Sequence, residues 1–228
     1  MGLTAGSTGR GAADKGLFIQ REDGDKVIAL AGNPNVGKST VFNELTGLNQ
    51  HTGNWPGKTV TNAQGHYTHK GMHTILVDIP GTYSLMAHSA EEEVARDFIC
   101  FGGADGVVVV CDATCLERNL NLVLQTMEIT DRVVVCVNLM DEAKKKNIRI
   151  DFDQLSENLG VPVVGASARS RKGLDELMDT AARVVAGEKT HPTKIRYTKP
   201  IESAIEELEP LLEGPLAGRL NSRWVALK

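Results

Sequence analysis

The residues that most restrict this chain are Gly32-Asn33-Pro34-Asn35-Val36-Gly37-Lys38-Ser39. They follow an apolar run, Val27 to Ala31, and precede a helical pattern from Thr40 to Leu45. A strand that runs into a G-x-x-x-x-G-K-S loop and then a helix is built to hold phosphate. The glycines let successive backbone N–H groups turn inward, and the helix brings the positive end of its dipole to the same spot. Residues Asn33, Pro34, Asn35, Val36, Gly37, Lys38, Ser39 and Thr40 are the candidate cradle. Lys38 can reach the β and γ phosphates of a triphosphate, and the Ser39 hydroxyl can ligate a bridging Mg²⁺.

Around this loop the pattern alternates between buried-type strands and amphipathic helices. Gln64 to His69 and Met72 to Asp78, joined at Lys70-Gly71, read as an antiparallel hairpin. Gly106 to Cys111, Arg132 to Asn138 and Pro162 to Gly165 read as strands buried on both faces. Apolar spacings of three and four predict helices at Glu91 to Phe101, Leu116 to Glu128, Asp151 to Leu159 and Gly173 to Ala186. The expected fold is α/β: a P-loop NTPase with a mostly parallel six-stranded sheet covered on both faces, its ligand at the carboxyl ends of the strands. After Gly187 the composition shifts, and Ile201 to Leu212 and Pro215 to Leu227 predict a small all-helical unit. Its stripe of Ile201, Ile205, Leu208, Leu211 and Leu212 needs something to face. The expected organisation is a leader at 1–25 without sustained periodicity, a nucleotide domain at 26–190 and a helical appendage at 191–228.

Length and charge exclude some partners. The 228 residues carry a net charge of -4, which argues against a nucleic-acid surface. No window of about 18 uninterrupted apolar residues exists, so the chain reads as soluble. Cys100, Cys111, Cys115 and Cys136 have neither zinc-ribbon nor disulfide-framework spacing and read as reduced interior thiols.

Two loops and two base-reading segments complete the candidate site. Asp78-Ile79-Pro80-Gly81 ends a strand, where the Asp78 carboxylate can hold Mg²⁺ through water and the Gly81 N–H can approach the γ phosphate. Leu48 to Thr61 is dense in turn formers and reads as a mobile loop in which Thr59 completes the Mg²⁺ shell when triphosphate is bound. Asn138-Leu139-Met140-Asp141 and Ser167-Ala168-Arg169 each follow a buried strand. The Asp141 carboxylate can accept from the guanine N1–H and exocyclic amine, a pair adenine lacks, so GTP and GDP are the expected ligands. Residue 82, where many GTPases carry a water-orienting glutamine, is threonine, so no catalytic amide is evident in that loop.

These motifs together resemble the FeoB family of ferrous-iron transporters. The resemblance rests on Gly32-Asn33-Pro34-Asn35, on Gly53-Asn54-Trp55-Pro56-Gly57-Lys58-Thr59, and on Leu139-Met140 where most small GTPases have a lysine. It spans about Lys26 to Lys228 and implies a Ras-like G domain followed by a helical domain that slows nucleotide release. It further implies a polytopic membrane transport domain in the full-length chain, at the cytoplasmic face of the bacterial inner membrane. By the same resemblance Asn35 helps hold a K⁺ beside the phosphates, with main-chain carbonyls of Gly53 and Trp55, and Gly57 and Lys58 belong to the nucleotide-sensing loop. Lys38, Thr59, Gly81 and Asn35 are the residues expected to act in hydrolysis, which is expected to be slow and faster in K⁺. A homo-oligomer is left open.

Other features have plainer readings. His66 and His69 alternate onto opposite strand faces, so with His73 they are expected to face solvent rather than bind iron. Glu91 to Glu93 complement a helix dipole, and Lys144 to Lys146 form a solvated surface. Two competing functions use the same motifs: a ribosome-assembly GTPase and a nucleotide-gated adaptor without significant hydrolysis. The first wants a basic appendage, whereas Glu202, Glu206, Glu207, Glu209 and Glu213 make this one acidic.

Overall fold

The computed structural model describes residues 19, 21–47, 50–55, 58–216 and 220–228. Of the predicted leader, residues 19 and 21–25 are described: Ile19 packs against the core and Arg21 pairs with Asp105 at 2.7 Å. Seven strands form one sheet: β1 Lys26–Gly32, β2 Gln50–Asn54, β3 Thr61–His69, β4 Met72–Asp78, β5 Gly106–Asp112, β6 Val133–Asn138 and β7 Val163–Gly165. Their order is β2-β3-β4-β1-β5-β6-β7. The pairs involving β1, β5, β6 and β7 are parallel; β3 pairs antiparallel with both β2 and β4.

The β-branched runs explain the buried centre. In Gly106-Val-Val-Val-Val-Cys every residue is buried, because helices cover both faces and the strand needs no polar side. On one face lie α1, Lys38–Thr46, with Val41, Phe42 and Leu45, and α6, Leu174–Val185, with Leu177, Met178 and Val184. On the other lie α2, Ala90–Phe101, with Val94 and Phe98, and α3, Leu116–Ile129, with Leu122 and Met127. The parallel strands all end on one edge, and the loops that leave there carry the candidate site.

Among the described residues the sheet has seven strands where six are expected. Gln50–Asn54 lies in the segment read as a loop, yet pairs with β3 from Gln50↔Gly65 to Asn54↔Thr61. It is an edge strand whose residues His51 to Asn54 are exposed, so main-chain pairing alone forms it and no apolar alternation announces it. A short helix, α4 at Met140–Lys145, also has no apolar stripe to predict it. α5, Phe152–Leu159, begins as expected at an Asp151 cap that accepts from Gln154 N at 3.0 Å.

The C-terminal segment departs further from expectation. α7 runs from Lys199 to Leu216 through Pro210 and Pro215, and α8 is only Ser222–Ala226, opened by an Asn221 cap rather than at Pro215. Of the predicted stripe, Ile205 is 1% exposed while Ile201, Leu208 and Leu211 are exposed. Within the segment, Arg223 of α8 bonds Glu202 of α7 at 2.8 Å and Ile195 O at 2.9 Å; toward the sheet domain, Tyr197 O–H donates to Glu128 of α3 and Trp224 packs on the sheet's core.

The Arg223 guanidinium and the Tyr197 N–H hold the Glu202 carboxyl down at about 2. A lowered carboxyl stabilises the folded contact above its ordinary value near 4.5 and loses that contribution as pH falls toward 2. The tie between α7 and α8 therefore persists at neutral pH and loosens only in acid. Arg223→Met removes it at any pH, and trypsin is expected to cut at Lys194 and Arg196 about tenfold faster than in the parent. Equal cleavage rates would show that the Tyr197–Glu128 bond and Trp224 packing hold the segment without the Arg223 pair.

Candidate nucleotide site

Helix α1 opens without a cap. Gly37 precedes it at φ 82°, it has no side chain to bond the first-turn N–H groups, and no acidic residue occupies that turn. By contrast α2 is capped by Ser89, which accepts from Glu92 N at 3.2 Å, and carries Glu91, Glu92 and Glu93 in its first turn. Uncapped amides and a bare dipole end at α1 suit an external anion. Asn35 is also left-handed, at φ 67°, and this pair of turns gives the loop its inward-facing concavity. An open cavity of about 690 Å³ lies there, lined by the predicted residues Asn33, Pro34, Asn35, Gly37, Lys38, Ser39, Thr40, Gly81, Asn138, Leu139, Ala168 and Arg169.

Lys38 and Asp78 are brought together directly. The Lys38 ammonium is ion-paired with the Asp78 carboxylate, and Ser39 Oγ lies 3.4 Å from the other carboxylate oxygen. A hydroxyl beside a carboxylate at a phosphate-binding amide cradle is the hard-oxygen donor set that Mg²⁺ takes, so these residues fit it. For Lys38 to reach a ligand in the cavity it must leave this ion pair. Thr59 is exposed and is not among the residues lining the cavity. Gly53 and Trp55 do not line it either, and the Trp55 carbonyl accepts from Lys58 N at 3.0 Å. Of the donors assigned to K⁺, only Asn35 stands at the cavity in this arrangement, so the set is not assembled here.

The reason is visible in the loop after β2. Trp55 is 3% exposed, packs edge-to-face on Phe98 of α2 at 5.3 Å, and donates from Nε1 to Thr61 O at 3.1 Å. Lys58 pairs with Glu93 of α2 at 2.7 Å, and that partner holds the Glu93 carboxyl below its usual range. The segment expected to be mobile is thus latched to α2, with Thr59 turned outward; Gly57 lies outside the described residues. Sequence reasoning missed this latch, because residues 35 to 43 positions apart give no local signal.

The second loop, Thr82 to Met86, is held by α3. Leu85 N donates to Gln125 Oε1 at 2.7 Å, Asn121 donates to Tyr83 O at 3.3 Å, and Arg118 stacks over the Tyr83 ring at 4.3 Å. At the base-reading end, Asn138 is 1% exposed and joins two loops: Nδ2 donates to Val36 O, and Oδ1 accepts from Ala168 N, each at 3.0 Å. A Cβ on Gly37 would come within 2.5 Å of Asn138 Nδ2, so only glycine fits there. The Ser167 hydroxyl accepts from Asp141 N at 3.1 Å, holding the main chain at the start of α4, and both residues line a second cavity rather than the one at the phosphate loop. Phosphate loop and base loop are one hydrogen-bonded unit.

The histidines and cysteines lie away from this site. His69 does not face solvent: it is largely buried, bonded to Asp179 of α6 at 2.6 Å and to the Tyr67 hydroxyl at 3.2 Å, because the β3–β4 turn packs on that helix. No cluster of three metal-ligating residues exists among the described residues. Burial pushes the Cys100 and Cys136 thiols up to about 12, which leaves them unreactive at neutral pH; Cys115 is exposed rather than interior.

The family model described as ferrous iron transport protein B matches residues 26–181. The chain belongs to the FeoB family. It is 39% identical over 207 residues to the Fe(2+) transporter FeoB of Escherichia coli (strain K12), covering 88% of this chain and 26% of that protein. A Fe(2+) transport protein A/FeoB fusion protein of Porphyromonas gingivalis is 37% identical over 206 residues, of which this chain covers 24%. The chain thus spans about a quarter of the length of these relatives. Among solved structures, the cytosolic domain of T. maritima FeoB in apo form superposes with a TM-score of 0.82 at 40% identity, over 90% of this chain and 80% of that one. The same domain in a form described as GMPPNP gives 0.81 at 39% identity, over 89% and 80%. The α/β fold with its mostly parallel sheet is that of the FeoB G domain. No helix among the described residues is long and apolar enough to cross a membrane.

Proposed function

We propose that this chain is a guanine-nucleotide switch that hydrolyses GTP to GDP and thereby regulates ferrous-iron passage through the membrane part of a transporter. In this reading residues 26–190 bind nucleotide, 191–228 form an appendage that modulates its release, and the unit works at the cytoplasmic face of the bacterial inner membrane, beside a polytopic domain of the same full-length protein. The observation that carries it is Asn138, which ties the uncapped phosphate cradle to the loop presenting Asp141. Relatives described as GDP and GMPPNP forms support the choice of ligand.

Hydrolysis in this reading is in-line attack of water on the γ phosphorus, breaking its bond to the β–γ bridging oxygen and releasing GDP and phosphate. Lys38 leaves Asp78 and moves onto the β and γ phosphates. The first-turn amides of α1 receive the phosphate oxygens, and the Gly81 N–H turns toward the γ phosphoryl group. Thr59 must detach from the α2 latch to reach the site. Mg²⁺, when bound by Ser39 and Asp78, supplies charge neutralisation at the β and γ oxygens. The K⁺ role of Asn35 with Gly53 and Trp55 rests on the resemblance.

Calorimetry with GDP and a non-hydrolysable GTP analogue, with Mg²⁺, tests the reading. Micromolar or tighter binding of guanine but not adenine nucleotides is expected, with slow phosphate release that is faster in K⁺ than in Na⁺. Indifference to guanine nucleotides overturns the whole account. Equal turnover in the two salts removes Asn35 from its cation role, binding without turnover favours the adaptor, and retention of ribosomal RNA on a filter favours the ribosome-assembly reading.

A further inference from the structure

Asn33 is 3% exposed in the middle of the phosphate loop, and neither its Oδ1 nor its Nδ2 has a hydrogen-bond partner. A carboxamide offers one acceptor and two donors, and burying it unpaired opposes folding. The other two fully buried asparagines among the described residues are satisfied. Asn138 bonds Val36 and Ala168, and Asn119 donates to Cys115 O and accepts from Asp112 N. Asn33 is the exception, and it too lines the cavity.

The main chain packed across residues 32–34 is Gly81–Thr82. Thr82 N donates to Gly32 O at 3.1 Å, a Cβ on Gly81 would lie 3.4 Å from Pro34 Cα, and Thr82 is 4% exposed. The second nucleotide-sensing loop therefore lies on the phosphate loop, touching Gly32 and Pro34, the two neighbours of Asn33 in the chain. For the Gly81 N–H to turn toward a γ phosphoryl group, this contact has to shift, and the Thr82 N–H has to leave Gly32 O. Pro34 has no N–H with which to catch the moved segment.

We propose that the Asn33 carboxamide is a positioning residue for this second loop in the triphosphate state. Its Oδ1 accepts the released Thr82 N–H, and Nδ2 donates to a main-chain carbonyl of the same displaced segment. The amide is unpaired before the shift and paired after it, so it favours the closed arrangement and discriminates triphosphate from diphosphate. This inference rests on the guanine-nucleotide switch reading above and adds a residue to it.

The test measures affinities for GDP and a non-hydrolysable GTP analogue, with Mg²⁺, for the parent chain and Asn33→Ala, together with melting of each protein without nucleotide. The ratio of analogue to GDP affinity is expected to fall about tenfold in the variant. Without nucleotide, the variant is expected to melt no lower than the parent, because the substitution removes an unpaired buried amide. A ratio within twofold of the parent's overturns the proposal. So does an equal loss of both affinities with a lowered melting temperature, which is what a merely structural amide gives. Should Asn33→Ala not fold, the ratio in Asn33→Ser decides by the same limits. A parent chain that binds neither nucleotide overturns the switch reading itself, and is distinguished by that control.

Discussion

Replacing Asn138 by alanine is expected to destabilise the chain by about 2–4 kcal/mol and to lower its melting temperature by roughly 5–15 °C. The side chain is buried and satisfies two main-chain groups more than 25 residues apart on either side, Val36 O and Ala168 N. Alanine leaves both without a partner in a place water reaches poorly, and each such group costs about 1–3 kcal/mol. Asn138→Asp separates the two contacts. Its carboxylate still accepts from Ala168 N but sets an oxygen against Val36 O, so it loses the phosphate-loop half and adds a repulsion. Nucleotide affinity is expected to fall with both variants, because the cradle and the base loop then have to be ordered on binding. Differential scanning calorimetry checks the first effect. An Asn138→Ala protein that melts within a degree or two of the parent would mean that each loop is held by its own strand and helix, and the idea of one unit would go.

How far the sequence reached is seen by comparing this asparagine with the tryptophan of the first sensing loop. Asn138 was legible because it ends a buried strand and belongs to a short local motif; the strand, the loop and the ligand type all point the same way. The same holds for the cradle, where Gly37 and Lys38 are set by local backbone geometry. Trp55 was read only as a loop residue offering a carbonyl, yet its ring is buried against Phe98, 43 residues away, and no periodicity encodes that contact. β2 escaped for a related reason: an exposed edge strand has one neighbour and no core-facing row, so its pairing is written in β3 rather than in itself. The Lys38–Asp78 pair joins two residues that were both singled out, but as separate ligands of phosphate and Mg²⁺. That they pair with each other is a consequence of tertiary placement. The α7 stripe fails in the opposite direction, since its spacing is helical and correct, but only Ile205 finds a buried neighbourhood.

Asp141→Asn is expected to exchange the base that the site accepts. A carboxylate at residue 141 is acceptor-only and matches the two donors that guanine presents at N1 and the exocyclic amine. The amide of asparagine keeps one acceptor and brings a donor, so it faces the guanine amine with a like group. The loss of two charge-assisted hydrogen bonds, one replaced by a donor–donor clash, corresponds to about 10²–10³-fold weaker GDP and GTP binding. Xanthine carries a carbonyl where guanine carries the amine, and its N1–H with that carbonyl matches the asparagine amide in one orientation. Xanthosine diphosphate is therefore expected to bind the variant at least tenfold better than GDP, reversing the parent's preference. Stability should scarcely change, because Asp141 is exposed in the first turn of α4 and its main-chain N–H keeps the Ser167 hydroxyl as acceptor. Calorimetric titration of both proteins with the two diphosphates, beside a thermal melt, decides the matter. Unchanged GDP affinity in a well-folded variant would place the base elsewhere than at Asp141, and the selection of guanine would need another residue.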